Sequence, residues 1–457
     1  MTEKSYASPL IRWSVLLLVS ITIATNYYVY DALSSIKSVM QAQLGFSSTE
    51  YGWIVSFYSF PNTFFLMAIF GGMILDRWGI RKTGFLFVGF CVLGAFITAY
   101  GASSTFLSGG PGYSFMNSFL KEFSPQLKLM MFGRLLFGLG AETSIIVTNK
   151  VLVKWFKGKE LALAFAVNIS LARIGTAAAL IASPILIQSP SGWTNAIWVA
   201  AVLMGIGFLF FIIYMIFDAK PERLGNSTLS SEPEEKFRLK DFVLLLKTPS
   251  FLYICLLCVT FYSAVFPFQA YCPDMLHNKF GVSIENSGLL SSLIIWGTII
   301  FTPLFGLFVD KKGKRATLMI GGSLLLTVVH LTLSLTNITP YISMFIMGIA
   351  FSLVPAAMWP SVAVIVEEKR LGTAFGIMTS IQNLGLWAFP ILAGMLLDYT
   401  NRNIPKALLD SGKASLDYTY TILMFALLGV IGFVFALLLK SSDRKYSGGN
   451  LEKMTMH

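Results

Sequence analysis

Gly72-Met-Ile-Leu-Asp76-Arg77-Trp-Gly79-Ile-Arg81-Lys82 follows the second of the long apolar runs in this chain. A second stretch, Gly306-Leu-Phe-Val-Asp310-Lys-Lys-Gly313-Lys-Arg315, follows the eighth such run. Both stretches have the pattern Gly-x-x-x-Asp-(Arg/Lys)-x-Gly-x-Arg. A loop motif that returns at the equivalent position further along the sequence indicates a chain built from two repeated halves.

The composition places these loops in an integral membrane protein. Of the 457 residues, 55% are hydrophobic and only 12% are charged, whereas soluble proteins carry about 25% charged residues. Apolar runs long enough to cross a bilayer are predicted at 11–40, 50–75, 83–104, 127–152, 160–187, 194–217, 250–272, 285–309, 316–336, 340–366, 372–397 and 418–440. We expect helices, because these runs far exceed the roughly 10 residues of a barrel strand. The first run is too long for the apolar region of a signal peptide.

The predicted fold class is therefore an all-α integral membrane protein with twelve transmembrane helices in two pseudo-symmetric six-helix bundles. The predicted domains are an N-terminal bundle (1–217), a cytoplasmic linker (218–249), a C-terminal bundle (250–440) and a cytoplasmic tail (441–457). The linker is the only long loop on its side of the membrane, and it carries Pro221, Gly225 and an acidic run.

The basic residues predict the orientation. Most Lys and Arg residues lie in the termini, in loops such as 76–82 and 310–315, and in the linker. The positive-inside rule then places both termini and the linker in the cytoplasm. The net charge of +11 is explained by topology, and we expect no nucleic-acid partner, because no soluble basic module exists to bind one.

The two loops match the signature loop of the major facilitator superfamily, which the chain resembles. In that family the loop aspartate caps the N-terminus of a neighbouring helix across the bundle, where an anion is favoured, and the arginines join a cytoplasmic charge network. The resemblance implies gating roles for Gly72, Asp76, Arg77, Arg81, Asp310 and Arg315. The alternative is that these loops only fix the topology.

Several segments are more specifically similar to the lysosomal dipeptide transporter subfamily, the relatives of major facilitator superfamily domain-containing protein 1. They occur in matching order in both halves: Tyr58–Asn62, Gly133–Glu142, Trp155–Glu160, Ala172–Gly175, Ala264–Phe268, Trp359-Pro360, Leu371–Gly376 and Ser380–Gly385. The resemblance implies alternating-access transport of dipeptides, with a preference for cationic side chains. The glycosylated accessory subunit of lysosomal relatives is not expected here, and we predict a monomer.

Two charges lie deep inside predicted membrane helices, where an ionised side chain costs roughly 2.5–3.5 kcal/mol on insertion scales. Glu142 and Arg173 each lie about twelve residues, or roughly 18 Å, from one end of consecutive antiparallel helices. An anion and a cation at one depth suit a zwitterion. The ammonium of a peptide would meet Glu142, and its carboxylate would meet the planar fork of Arg173. The alternative is a salt bridge that only joins the two helices.

Other polar residues extend this hypothesis. Asn149 shares a helix face with Glu142, whereas Lys150 is expected to extend to the membrane interface. Arg134 is a candidate outer-gate or interfacial residue. Asp31, in a cluster of tyrosines, is a candidate vestibule or proton site, with an interfacial belt as the alternative. The remaining predicted cavity walls are Tyr58, Tyr262, Trp359, Gln382 and Asn383.

The sequence also limits the class of function. It has no phosphate-binding loop for ATP, no catalytic constellation and no metal-ligand cluster, so we expect no enzyme activity, no cofactor and no metal. A dipeptide carrier is favoured; a carrier for an organic anion, an amino acid or a drug, with or without proton coupling, is the alternative. Because the tails lack an acidic dileucine signal, a bacterial-type cytoplasmic membrane is favoured over a lysosomal one.

Overall fold

A computed structural model describes residues 8–156, 160–190, 192–223, 239–367, 370–405, 408–409 and 413–453, and these residues form helices and connecting turns without a strand. The helices are α1 (Pro9–Asp31), α2 (Lys37–Leu44), α3 (Ser48–Ser56), α4 (Phe60–Phe64), α5 (Met67–Gly101), α6 (Ser104–Leu107), α7 (Tyr113–Ser118), α8 (Pro125–Phe156), α9 (Leu161–Leu186), α10 (Asn195–Arg223), α11 (Leu239–Lys247), α12 (Pro249–Phe280), α13 (Ile284–Lys312), α14 (Arg315–Leu335), α15 (Pro340–Ile365), α16 (Leu371–Thr400) and α17 (Thr419–Ser447).

Within the described residues, eleven helical segments are long and apolar enough to cross a membrane. The predicted second run appears as α3, α4 and the first part of α5. The helix α5 then continues through the signature loop into the predicted third run, with its only non-helical backbone at Gly79 (φ 77°, ψ 170°). The connection predicted at 76–82 is therefore present as a turn at a single glycine, between the two helical stretches that make up α5.

Two predicted helices are interrupted. The first run was expected to be continuous over 11–40, but α1 ends at Asp31 and a short 3-10 turn, Ser34–Ile36, precedes α2. The second run breaks after Ser56, and a second break places Leu66 at a left-handed φ of 50°. Pro61 explains the first of these breaks, since its ring clashes with the carbonyl four residues earlier, at Phe57.

The chain divides into two compact units. One contains Met1–Leu33 and Phe60–Glu234, and the other contains Ser34–Ser59 and Glu235–His457. The segment 34–59, which holds α2 and α3, thus packs with the helices of the second half of the sequence. Helical structure enters both ends of the predicted linker, up to Arg223 and again over Leu239–Lys247; its acidic run lies outside the described residues.

Small residues allow a close helix approach in the first unit, between α5 and α8. A Cβ atom added at Gly140 would lie 2.2 Å from the Phe87 carbonyl oxygen, and one added at Gly94 would lie 2.3 Å from the Phe137 nitrogen. Helices in membranes associate through close van der Waals packing, and small residues allow that approach. This contact fixes α8, which carries Glu142.

Substitution of Gly140 by alanine is expected to lower the free energy of unfolding by about 1–3 kcal/mol, because the two backbones must move apart. Gly89 on α5 is the matched control, since a Cβ there faces α10 and has its nearest neighbour, a ring carbon of Phe208, 4.0 Å away. Gly89→Ala should be neutral or slightly stabilising, because alanine favours the helix. Thermal unfolding in detergent compares the two, and equal melting temperatures would contradict the packing argument.

Candidate functional site

A close contact between α1 and α9 brings Arg173 to the first helix. A Cβ atom at Gly175 would lie 2.1 Å from the carbonyl oxygen of Ala24, so only glycine permits this approach. The same two helices are also joined by a hydrogen bond, which the Ser20 hydroxyl on α1 donates to the Asn168 amide oxygen on α9 at 2.9 Å. The Arg173 guanidinium consequently lies 5.8 Å from the ring centre of Tyr27, within range of a cation–π interaction.

Tyr27 lies near both of the predicted substrate-binding charges. It lies within electrostatic range of Arg173, Glu142 and Asp31. Glu142 and Arg173 are both half-buried, so each retains an accessible part of its side chain. The geometry of the first unit therefore brings the predicted anion and cation to one tyrosine.

Asp31 and Arg134 belong to the same cluster but are more deeply placed, with exposed fractions of 4% and 2%. Asp31 lies beside Thr176, within electrostatic range of Arg173 and Arg134. Both side chains are therefore enclosed by the protein. The cluster as a whole contains two carboxylates and two guanidinium groups, which balance in charge.

Arg134 has a structural contact that the sequence did not predict. Its guanidinium donates to the carbonyl oxygens of Val29 at 3.2 Å and Tyr30 at 3.4 Å. These carbonyls belong to the last turn of α1, where helical carbonyls lack partners within the helix and a cation is favoured. Arg134 thus fixes the end of α1 just before the break at Ala32.

The first signature loop engages a residue that was expected elsewhere. The ammonium of Lys150 contacts the Asp76 carboxylate, so Lys150 is not simply extended to the interface. Asp76 was predicted to cap a neighbouring helix; in this unit its carboxylate binds a lysine. Their side chains are 29% and 40% exposed. Asn149, the preceding residue, is half-buried.

Of the other loop residues in this unit, Arg77 is exposed, and Gly72 has open space where a Cβ would lie. Arg81 lies 3.9 Å from the Asp218 carboxylate. That carboxylate also accepts hydrogen bonds from Lys154 at 2.8 Å and from the Trp155 indole at 3.2 Å. Sequence reasoning missed Asp218, because it lay at the first position of the predicted linker.

The second signature loop belongs to the other unit and has a different environment. Asp310 is exposed, whereas Arg315 is only 4% exposed. The Arg315 guanidinium lies 3.5 Å from the carbonyl oxygen of Lys453. The C-terminal residues therefore cover the second copy of the loop.

The predicted cavity walls of the second unit form part of an aromatic cluster. The Trp359 indole donates to the Tyr262 hydroxyl at 2.8 Å, and the Tyr262 ring stacks on Phe266 with centroids 5.6 Å apart. Tyr58 in this unit is 8% exposed. The structure thus supports Tyr262 and Trp359 as a connected pair.

The two predicted amides of this unit lie on α16. Gln382 is half-buried, whereas Asn383 is 2% exposed and donates to the Thr379 carbonyl of its own helix. Asn383 therefore turns one donor back onto α16, while Gln382 keeps an accessible part of its side chain.

A buried ion pair in the second unit was absent from the sequence prediction. Lys37 Nζ lies 2.7 Å from Asp274 Oδ2, with side chains 0% and 2% exposed. Asp274 also accepts from the Tyr418 hydroxyl, and Lys37 donates to Gln41. The predicted seventh run ended at Cys272 because apolarity falls at Pro273-Asp274, but α12 continues to Phe280. The available signal was a single base near the end of the first predicted run and a single acid just after the end of the seventh.

The proteins to which this chain is similar in sequence are described as transporters. The chain is 32% identical over 399 residues to the lysosomal dipeptide transporter MFSD1 of Homo sapiens, covering 85% of this chain and 80% of that protein. It is 33% identical over 385 residues to that of Mus musculus, covering 82% and 77%. The hexuronate transporter of Bacillus subtilis is 23% identical over 431 residues, covering 90% and 91%.

Solved structures share the fold. A nucleoside transporter, NupG, superimposes with a TM-score of 0.66 at 14% identity, covering 93% of this chain and 99% of that one. A D-xylose-proton symporter does so with a TM-score of 0.67 at 14% identity, covering 93% and 97%. A family model described as Major Facilitator Superfamily matches residues 19–277 and 270–455. The predicted fold class and resemblance are confirmed, and this multi-pass membrane transporter belongs to the Major Facilitator Superfamily.

Proposed function

We propose that this transporter moves dipeptides by alternating access and that Glu142 and Arg173 hold the two ends of the substrate. The observation that carries the proposal is that these two half-buried opposite charges both lie within electrostatic range of Tyr27. The relatives described as lysosomal dipeptide transporters, at 32–33% identity, support the same substrate class.

The four charges of the cluster differ in how they can act: two make structural contacts, and two can reach a substrate. Arg134 binds the last carbonyls of α1, and Asp31 is buried beside Thr176. Glu142 and Arg173 are the members with accessible side chains. A dipeptide backbone carries one ammonium and one carboxylate, so it matches these two accessible groups of opposite charge, whereas a neutral solute offers no charge to either.

A second candidate is a carrier for a sugar acid or a related organic anion. The hexuronate transporter of Bacillus subtilis, at 23% identity over 90% of this chain, favours it, as does the guanidinium of Arg173, which binds carboxylates in two parallel hydrogen bonds. In that case Arg173 alone would hold the substrate, and Glu142 would serve proton coupling. The two mechanisms differ in the role of Glu142, and substrate flux measured with and without a proton gradient tests whether it serves proton coupling.

The proposal also covers the orientation of the transporter in its membrane and the membrane in which it lies. The basic loops favour a cytoplasmic position for both termini. The chain was predicted to lie in a bacterial-type cytoplasmic membrane, whereas the relatives are described as lysosomal. Substrate recognition by Glu142 and Arg173 does not depend on this choice, and fractionation of the source cells decides the compartment.

Thermal unfolding of the purified protein with a ligand panel tests the proposal. A ligand at a hundred times its dissociation constant adds about 2.7 kcal/mol to the free energy of unfolding. We expect dipeptides, above all those with a basic side chain, to raise the melting temperature, while hexuronates and single amino acids leave it nearly unchanged. A shift with hexuronates and none with dipeptides would reject the dipeptide assignment.

A further inference from the structure

The C-terminal residues 448–453 form a compact structure against the second signature loop. Gly448 and Gly449 have φ angles of 65° and 79°, a left-handed pair that glycine adopts without strain, and they reverse the chain after α17. Leu451 is then 0% exposed, and its backbone nitrogen donates to the Asp443 carboxylate at 3.0 Å. The reversal and its anchor are thus encoded in the sequence of the tail.

The tail supplies a cap that α14 lacks. The residue before this helix, Lys314, has a left-handed φ of 56° and provides no side-chain cap. Glu452 fills that place, because its carboxylate accepts from the Thr317 backbone nitrogen at 2.8 Å. Its backbone oxygen accepts from the Lys314 nitrogen at 3.3 Å. An anion at a helix N-terminus is stabilised by the free amides there.

The same tail residues hold the loop that was expected to act as a gate. A Cβ atom at Gly313 would lie 2.3 Å from the Lys453 carbonyl oxygen, and the Arg315 guanidinium is turned to that oxygen. Lys440 on α17 lies 3.6 Å from the Glu452 carboxylate. The first signature loop is different, since its Asp76 is bound by the partly exposed side chain of Lys150.

We propose that residues 448–453 are a latch that holds the second signature loop in one position and slows its movement during transport. The proposal rests on the proposed transport function, because a latch matters only if the loop moves in the cycle. A contact made in one state and lost in the other stabilises the first state, so its removal speeds departure from that state. The two copies of the loop then differ in mobility: the latch restrains the second copy, and among the described residues no such segment restrains the Lys150–Asp76 contact of the first.

Two truncations separate the latch from the rest of the tail. A chain ending at Met454 keeps residues 448–453 with the Lys453 carbonyl in a peptide bond, and a chain ending at Ser447 removes all latch contacts. Backbone hydrogen exchange at Lys314 and Thr317 reports docking directly, because the first amides of a helix have no partner within the helix and these two donate to Glu452. We expect exchange at both positions to be about tenfold faster in the shorter chain.

A point substitution tests the contact without deleting residues. Glu452→Gln keeps the shape of the side chain and removes its charge, so exchange at Thr317 should rise by several-fold. Lys445→Gln is the matched control, since the side chain of this exposed residue lies over its neighbour Tyr446. Equal exchange in the two truncations, or equal effects of the two substitutions, would show that the tail is not docked and would overturn the proposal.

Dipeptide flux in liposomes tests the consequence for transport. The chain ending at Ser447 should turn over at least about twofold faster than the chain ending at Met454. Faster exchange without faster flux would make the tail a structural clasp and reject the latch. Absence of dipeptide flux from both chains would count against the proposed function instead, and the exchange experiment, which needs no substrate, would then decide whether the tail docks.

Discussion

Lys37→Met should lower the free energy of unfolding by about 3–5 kcal/mol, because it leaves the Asp274 carboxylate buried without its cation. The pair is fully enclosed, with side chains 0% and 2% exposed. The ammonium also lies 5.5–5.9 Å from the ring centres of Tyr51, Tyr271 and Tyr418. Methionine fills a similar volume, so the loss reports the charge more than the packing. Equilibrium unfolding in detergent measures the effect.

The exposed pair of Lys150 and Asp76 is the matched control. Its side chains are 29% and 40% exposed, and exposed ion pairs contribute about 0–1 kcal/mol, so Lys150→Met should change stability little. A double substitution, Lys37→Met with Asp274→Leu, should recover much of the loss, because it removes both buried charges. Equal destabilisation by Lys37→Met and Lys150→Met would contradict an enclosed ion pair between Lys37 and Asp274.

Arg173→Ala is expected to abolish measurable dipeptide binding and uptake. Removing one partner of a charge pair in a site costs about 2–5 kcal/mol of binding free energy, a loss of roughly thirtyfold or more in affinity. Arg173→Lys should recover only part of it, since lysine keeps the charge but cannot form two parallel bonds to a carboxylate. Glu142→Gln should have a comparable effect through the ammonium of the substrate. Uptake into liposomes with radiolabelled dipeptide measures all three.

Arg402→Ala controls for the loss of an arginine elsewhere, because Arg402 is exposed and lies over its neighbour Tyr399. It should leave uptake unchanged. The alternative role of Glu142 and Arg173, a salt bridge that joins α8 to α9, predicts another pattern. Either substitution would then lower the melting temperature, and ligands would still stabilise the remaining folded protein. Retained dipeptide binding by Arg173→Ala would favour that alternative.

The sequence predicted the helices well and their continuity poorly. Length and apolarity report that a segment is buried in the membrane, so the long runs were found. They do not report breaks in the backbone. Pro61 gave a usable signal for the break near Phe57, but prolines such as Pro267 and Pro390 lie within continuous helices. The left-handed Leu66 has no sequence signal, because it depends on tertiary packing.

The candidate site was predictable to the extent that charge in a membrane is costly. Glu142 and Arg173 stood out for that reason, and both lie within electrostatic range of Tyr27. Arg134 also stood out, but its bonds to the end of α1 could not be inferred, because they depend on where that helix stops. Lys37 and Asp274 escaped notice since each lies near the end of an apolar run, where single charges are common.

The tail was missed for another reason. Its residues have no apolar periodicity, and Glu452 acquires partners more than a hundred positions earlier in the chain. Such contacts follow from the three-dimensional position of the chain end. The Gly448-Gly449 pair was the one local indication that the chain turns back.

The central claim, that Glu142 holds the substrate ammonium and Arg173 its carboxylate, is tested most directly with one dipeptide in three forms: free, N-acetylated and C-amidated. Binding is measured to the wild type, Glu142→Gln and Arg173→Ala. Each blocked form should bind the wild type at least about tenfold more weakly. The N-acetyl penalty should vanish in Glu142→Gln, and the amide penalty should vanish in Arg173→Ala. Blocked dipeptides that bind the wild type as well as the free one, or penalties that persist unchanged in both variants, would contradict the account.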